Sequence, residues 1–328
     1  MSALEAAVVA ALGDLELAAR LVVEGMRAGP HRSPFRGFST EFQQHRSYRA
    51  GDDLRHLDWK LLARTDRLYT RQFRDMTNMS VMLVVDSSAS MGFGGAFGGG
   101  SGGGFGGGGG TRAGSAARDG VSKLRYATIL AAALAYLAVT EGDAAGLLSA
   151  SDGRFTYLPA RGGRAHLRSL VARLDRLTPS GTWQPARVIA RAAELLKRRG
   201  LIIVLSDFYD AEDETLRELK RATRRGHDVA LLQTLARPEI TFDYRGDVEF
   251  RDLESGATRV VPADTIGAGY RAAVGDFLTR WRTRAQQHGI DYALFPTDLP
   301  PARALRTYVV KRDSRPRHST SPTSTGRA

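Results

Sequence analysis

SVMLVVDSSASM, residues 80–91, carries five consecutive apolar side chains into an aspartate and then places serine at three of the next four positions. A short, wholly apolar run of this kind is a strand buried on both faces. Its polar end has two readings. Asp and Ser stop strands and cap the following helix by accepting hydrogen bonds from free N–H groups. Alternatively, Asp86, Ser88 and Ser90 aim three hard oxygens at one point, as a small divalent cation requires. These twelve residues by themselves favour the capped strand end, so the choice rests on what the rest of the chain supplies.

The chain has 328 residues, above the usual single-domain range of roughly 100 to 200 residues, which predicts either one large domain with an appendage or two domains. Apolar residues at 42% and charged residues at 25% are ordinary globular values, so a sizeable core is expected. The absence of cysteine excludes disulfides, zinc–thiolate sites, iron–sulfur clusters and thiol nucleophiles, and fits a cytoplasmic setting. The most apolar stretch, ATILAAALAYLAV at 127–139, falls short of the roughly 20 residues that cross a bilayer. The N-terminus carries Glu5, Asp14 and Glu16 and no basic start, unlike a signal peptide, so no membrane anchor is expected. The net charge of +12 is concentrated: residues 20–74 hold twelve Lys/Arg against six Asp/Glu, and residues 303–328 hold seven against one. Such stretches attract nucleic acid, anionic lipid or an acidic protein, or are simply solvated. No aromatic interleaving or zinc-finger spacing sharpens the nucleic-acid option.

Residues 3–27 predict a helix closed by Gly25, Gly29 and Pro30. Residues 31–79 are polar, aromatic and basic with Gly turns, and predict irregular structure plus a strand or two. From 80 onward short apolar strands alternate with helical segments: strands at 81–85, 144–150, 201–207, 228–235 and 291–297, and helices near 122–141, 164–177, 184–199, 211–225 and 265–288. A hairpin-like RFTYLPAR follows the second strand, and 240–262 reads as a strand-rich excursion. This alternation predicts an α/β domain with a doubly wound, mostly parallel sheet, whose ligands bind outside the C-terminal strand ends near a switch point. The expected division is an N-terminal helical and irregular extension at 1–79, the α/β domain at 80–312 and a disordered basic tail at 313–328. Residues 92–120 are mostly Gly, Ser and Ala, and form a flexible insertion by composition. Their GGSGG and G-x-G-x-x-G matches follow from the repetition alone, and no P-loop motif occurs in the chain.

If Asp86 ends a central strand, other oxygens should stand at neighbouring strand ends. Thr182 follows Gly181 just before a helix, and Asp207 ends the strand LIIVLSD. Taken singly, Thr182 reads as a helix cap and Asp207 as a strand-end cap. Together they give D-x-S-x-S, then G-T before a helix, then a strand-terminal Asp, and here the chain resembles the von Willebrand factor A fold with its metal-ion-dependent adhesion site. The resemblance implies that Asp86, Ser88, Ser90, Thr182 and Asp207 surround Mg²⁺ or Mn²⁺ directly or through water, while a partner's Asp or Glu fills the remaining position. Phe208 stands where that family often has Gly. Two carboxylates leave the ion open to a further anionic ligand, which favours recognition over catalysis. The seven histidines are scattered, and none approaches the Asp/Ser groups in sequence to serve as a base.

The upstream stretch HRSPFRGFSTEFQQHRSYRAGDDLRHLDWKLLARTDRLYTRQF is similar to the segment before the adhesion-site strand in the bacterial and archaeal MoxR-associated family, domain of unknown function number fifty-eight. Gly51, Asp52, Asp53, Arg55, Asp58, Trp59, Ala63 and Arg64 carry the resemblance, and SDF at 206–208 is that family's form of the later strand end. The resemblance spans roughly residues 20–312 and implies a MoxR-type AAA+ ATPase as partner, with chaperone-like maturation of an unidentified client. The leading expectation is thus a non-enzymatic, metal-dependent interaction module adapting such an ATPase to its client. The alternatives are a nucleic-acid or anionic-surface binder using the basic segments, and a metal-dependent phosphohydrolase. Arg55 and Asp58 are expected to serve packing or docking, with Trp59 in the core.

Overall fold

The computed structural model describes residues 14–27, 40–48, 57–75, 79–94 and 121–313. Most of the Gly-rich insertion, the Gly51–Asp53 motif with Arg55, and the tail beyond 313 lie outside the described residues, and so do the expectations for them.

In chain order the elements are α1 (Leu15–Arg27), β1 (Thr40–Ser47), α2 (Trp59–Thr65), β2 (Tyr69–Asp75), β3 (Ser80–Asp86), a 3-10 turn (Ala89–Gly92), α3 (Lys123–Thr140), β4 (Ala144–Ser151), β5 (Arg154–Arg161), α4 (Arg164–Asp175), α5 (Pro185–Leu195), β6 (Gly200–Ser206), α6 (Glu212–Arg224), β7 (Asp228–Leu235), α7 (Arg237–Thr241), β8 (Asp247–Arg251), β9 (Thr258–Pro262), α8 (Ala263–Gln287), β10 (Asp291–Pro296) and α9 (Pro301–Asp313). Six strands form the central sheet in the order β10-β7-β6-β3-β4-β5. All neighbours are parallel except the β4–β5 hairpin. Numbered within the sheet and read from the β5 edge, the order is 3-2-1-4-5-6, the doubly wound arrangement whose switch point falls between the first and fourth strands. Those strands are β3 and β6. The expected α/β class, with a mostly parallel sheet, is therefore the observed one.

Strand alternation divides the core into two layers. Val81, Leu83 and Val85 of β3 face a cluster built with α1, α3, α4 and α9. Met82 and Val84 face the other, built with α5, α6 and α8. Helix α3 is buried nearly all round, because the sheet lies on one side and other helices cover the rest. Among the described residues it is the one helix long and apolar enough to cross a bilayer by length and composition, and 78% of that stretch is buried inside the fold. Its place is the core. Gly146 is demanded by a close pass within the β4–β5 hairpin, since a Cβ there would lie 2.8 Å from the Ala160 nitrogen.

Three observations differ from the sequence reading. Trp59 is 62% exposed and opens α2, so its expected core position is corrected; the Asp58 carboxylate accepts from the Leu61 N–H at 3.1 Å, which caps that helix. The basic stretch after 303 begins inside a helix, α9, which buries Leu305, Tyr308 and Val309. Two of its arginines are engaged internally: Arg306 donates to the Gly25 carbonyl, while Arg312 donates to the Tyr308 hydroxyl at 2.8 Å and pairs with Asp291.

Candidate metal centre

The C-terminal ends of β3 and β6 bring Asp86 and Asp207 to the middle of one sheet edge, both buried. Each carboxylate is held by local turn chemistry. One Asp86 oxygen accepts from the Ser88 N–H at 2.8 Å and the other from the Ser206 hydroxyl at 2.6 Å. The Ser206 oxygen in turn accepts from the Phe208 N–H at 3.0 Å. Ser90 donates its hydroxyl to Asp207 Oδ2 at 2.9 Å and lies 3.1 Å from the Ser88 hydroxyl. A hydroxyl that gives its proton to a carboxylate keeps its lone pairs for a cation.

Phe208 accounts for the missing glycine. Its φ is +57°, a left-handed conformation that glycine adopts without cost. Here the conformation is held by the buried ring, which packs 5.2 Å from Trp281. Behind it, the Gln233 amide donates to the Asp207 carbonyl at 2.6 Å and accepts from the Tyr292 hydroxyl at 2.5 Å, which fixes the strand end.

The structure thus joins four of the five expected residues through hydrogen bonds: Asp86, Ser88, Ser90 and Asp207. Thr182 stands on the adjacent loop with an exposed side chain, and among the described residues no hydrogen bond joins its hydroxyl to the others. The loop itself is tied to the site: Ala89 N–H donates to the Gly181 carbonyl at 2.9 Å and Ser180 N–H to the Ser87 carbonyl at 3.0 Å.

Lys123, Glu239 and Ser206 were not among the expected site residues. Lys123 opens α3 and is almost completely buried, its ammonium 2.8 Å from Asp207 Oδ2 and 2.7 Å from Glu239 Oε1. The signal for it was present, since a lysine in the first turn of a helix opposes the helix dipole and needs a local reason. Glu239 also accepts from the Ala236 N–H at 2.6 Å, in a short helix with no distinguishing pattern.

Burial, together with the Asp207 charge beside it, pushes the Asp86 carboxyl up to about 7. Burial alone would pull the Lys123 ammonium down, but Asp207 and Glu239 hold it above its ordinary value. Outside this cluster lies an acidic rim. The Asp210 carboxyl is raised by burial and by Asp207 and Asp252, and that of Glu254 by burial and by Asp210 and Asp207.

The charge and chemistry of the donor set suit a divalent ion. Three buried or nearly buried acids, Asp86, Asp207 and Glu239, face one buried ammonium, so the fully ionised cluster has a formal charge of minus two. One Mg²⁺ or Mn²⁺ would balance it, and every donor is a hard oxygen. Among the described residues no group of three or more His, Cys, Asp or Glu side chains is arranged as a metal cluster. The available donors are two carboxylates supplemented by serine hydroxyls, which is the kind of set Mg²⁺ accepts while retaining waters.

Fold and site together define a doubly wound α/β protein with an oxygen-rich, anionic centre at its switch point. The chain belongs to the family described as "Protein of unknown function DUF58", which matches residues 44–97 and 110–277. It is 30% identical over 262 residues to an uncharacterized protein of Mycobacterium tuberculosis, a match that covers 78% of this chain and 74% of that one. Among solved structures it is similar to the conserved hypothetical protein BatB from Bacteroides thetaiotaomicron, with TM-score 0.44, 18% identity, and coverage of 72% of this chain and 99% of that one. The SpRpn10 VWA domain gives TM-score 0.37 at 13% identity, covering 71% of this chain and 95% of that one. These scores are low, and the fold assignment rests on the sheet order.

Proposed function

We propose that this chain is a non-enzymatic interaction module in which Asp86, Ser88, Ser90, Thr182 and Asp207 hold Mg²⁺ or Mn²⁺ for the capture of a partner's carboxylate. The observation that supports it is the pairing of two buried carboxylates at the ends of the two central strands, with serine hydroxyls between them and too little resident positive charge to neutralise them. When bound, the ion supplies a positive charge with a coordination position open to an incoming Asp or Glu. The chain's own residues do the rest. Ser206 and the Ser88 N–H orient Asp86, Ser90 links to Asp207, and the Asp210 and Glu254 rim repels an acidic partner while the centre carries no ion. Partner capture is therefore conditional on the metal.

The family resemblance extends the proposal to an adapter role with a MoxR-type AAA+ ATPase in chaperone-like maturation of a client. Arg306 and Arg312 turn their guanidinium groups onto the fold, and Arg312 is paired with Asp291, so neither is presented freely by the basic C-terminal stretch on which a nucleic-acid reading would rely. The test is retention of the purified ATPase and of client proteins on the immobilised full chain with Mg²⁺, with chelator and with Asp86→Ala. Retention that ignores both chelator and substitution overturns the metal-dependent reading.

A further inference from the structure

Among the residues whose side chains are described, Lys123 is the only buried lysine. Its placement runs against two general preferences. A buried ammonium gives up its hydration, and the first turn of a helix already carries positive partial charge. The site compensates both. Lys123 contacts Asp207 Oδ2 and Glu239 Oε1 at hydrogen-bond distance, and aromatic faces complete its enclosure, with Tyr209 at 5.3 Å and Phe93 at 6.0 Å from the nitrogen. Its backbone is held as well, through Lys123 N–H to the Phe93 carbonyl at 3.0 Å, one turn beyond Ser90.

Asp207 Oδ2 therefore receives two donors at once, the Ser90 hydroxyl and the ammonium. An ion entering beside Asp86 and the serines meets a carboxylate that is already partly neutralised, and a positive charge one carboxylate away. Glu239 acts in the opposite sense, since it draws the ammonium away from Asp207 and adds negative charge of its own.

We infer that Lys123 and Glu239 form an opposed pair that sets the affinity of the centre for a divalent cation, the ammonium weakening binding by competing for Asp207 and the Glu239 carboxylate strengthening it by sharing that ammonium. The inference rests on the metal reading above and deepens it. The buried lysine keeps the ion exchangeable, and it stabilises the ion-free protein by supplying a cation to carboxylates that would otherwise repel one another.

The experiment is Mn²⁺ titration of the full wild-type chain, Lys123→Met and Glu239→Gln, followed by calorimetry and by loss of the free Mn²⁺ paramagnetic signal. Lys123→Met should bind Mn²⁺ about tenfold more tightly, and Glu239→Gln about tenfold more weakly, the scale of removing one charge at close range. Without metal, Lys123→Met should melt below wild type, and Mn²⁺ should raise its Tm by a larger increment. If both substitutions weaken binding, Lys123 only holds the loop in place and the inference is overturned. Should Lys123→Met fail to fold without metal, Glu239→Gln decides, because unchanged or tighter binding there is equally fatal. No Mn²⁺ binding by any of the three removes the metal reading and this inference with it, whereas binding in the wrong order removes the inference alone.

Discussion

Asp152 holds the backbone of Thr182 from two directions: its Oδ1 accepts from the Thr182 N–H at 2.9 Å, and its own N–H donates to the Thr182 carbonyl at 3.1 Å. The contact ties the β4–β5 turn to the loop that precedes α5. Gly181 makes it possible, since a Cβ at that residue would lie 1.8 Å from the Asp152 carboxylate and its φ is +57°. A side chain there meets both a clash and left-handed strain.

Gly181→Ala is accordingly expected to cost about 1–3 kcal/mol of stability and to weaken Mn²⁺ binding, with Asp152→Ala showing the milder form of both effects. Denaturant unfolding and metal titration on the same preparations check this. Unchanged metal affinity in both variants would separate the Thr182 loop from the centre.

Asp86→Ala is expected to abolish measurable Mg²⁺ and Mn²⁺ binding while leaving the fold intact. The substitution removes two accepted hydrogen bonds but also a buried charge that faces Asp207, so the net loss should stay within about 2 kcal/mol. Calorimetric titration beside thermal melting gives the result; equal binding by wild type and variant would return the stretch at 80–91 to a capped strand end.

Asp143 supplies a pH dependence at the opposite end of the sheet. Burial pushes its carboxyl up to about 6, with the Met79 N–H at 2.9 Å opposing and Glu141 reinforcing the shift. Because the folded value lies above the unfolded one, the folded chain binds more protons between about pH 4 and 6, and stability falls as pH rises through that window. Asp143→Asn keeps an acceptor for Met79 and should make the profile shallower there, the raised Asp86 carboxyl still contributing a slope of the same sign, and should gain about 2 kcal/mol near pH 7 relative to wild type. A slope between about pH 4 and 6 that Asp143→Asn leaves unchanged would refute the assignment.

Phe208 combines a buried ring with positive φ, and the two can be separated. Phe208→Ala should cost about 3–5 kcal/mol through the cavity beside Trp281. Phe208→Gly should cost about 1 kcal/mol less, because it relieves the backbone at the same time. Equal losses in the two variants would show that the loop relaxes out of the left-handed region.

Much of this was readable from the chain. The strands ending at Asp86 and Ser206 stood out as short apolar runs closed by polar residues, and the helices between them by length and turn residues. That legibility comes from burial: a strand covered on both faces leaves a simple pattern. Lys123 and Glu239 escaped because their pairing spans 116 residues and depends on where α7 sits, which no local pattern encodes. The Asp152–Thr182 contact escaped for the same reason. Trp59 misled because an aromatic beside two leucines reads as core, whereas Leu57 is the residue that is buried there. Helix α9 was hidden by its arginines, whose stems and heads are used against the body of the fold.

Helix α3 takes part of its cover from elements far apart in the chain. Helix α1 precedes it by nearly a hundred residues, and α9 is the final described element, yet all three share one apolar layer. During synthesis the alanine-rich helix emerges with α1 already available, while the surface that receives Leu305, Tyr308 and Val309 stays open until residues 301–313 have been made. A chain interrupted before about residue 300 therefore leaves uncovered the part of this apolar layer on which α9 packs, and truncation at that point should yield a protein that melts lower and is held longer by chaperones than the full chain.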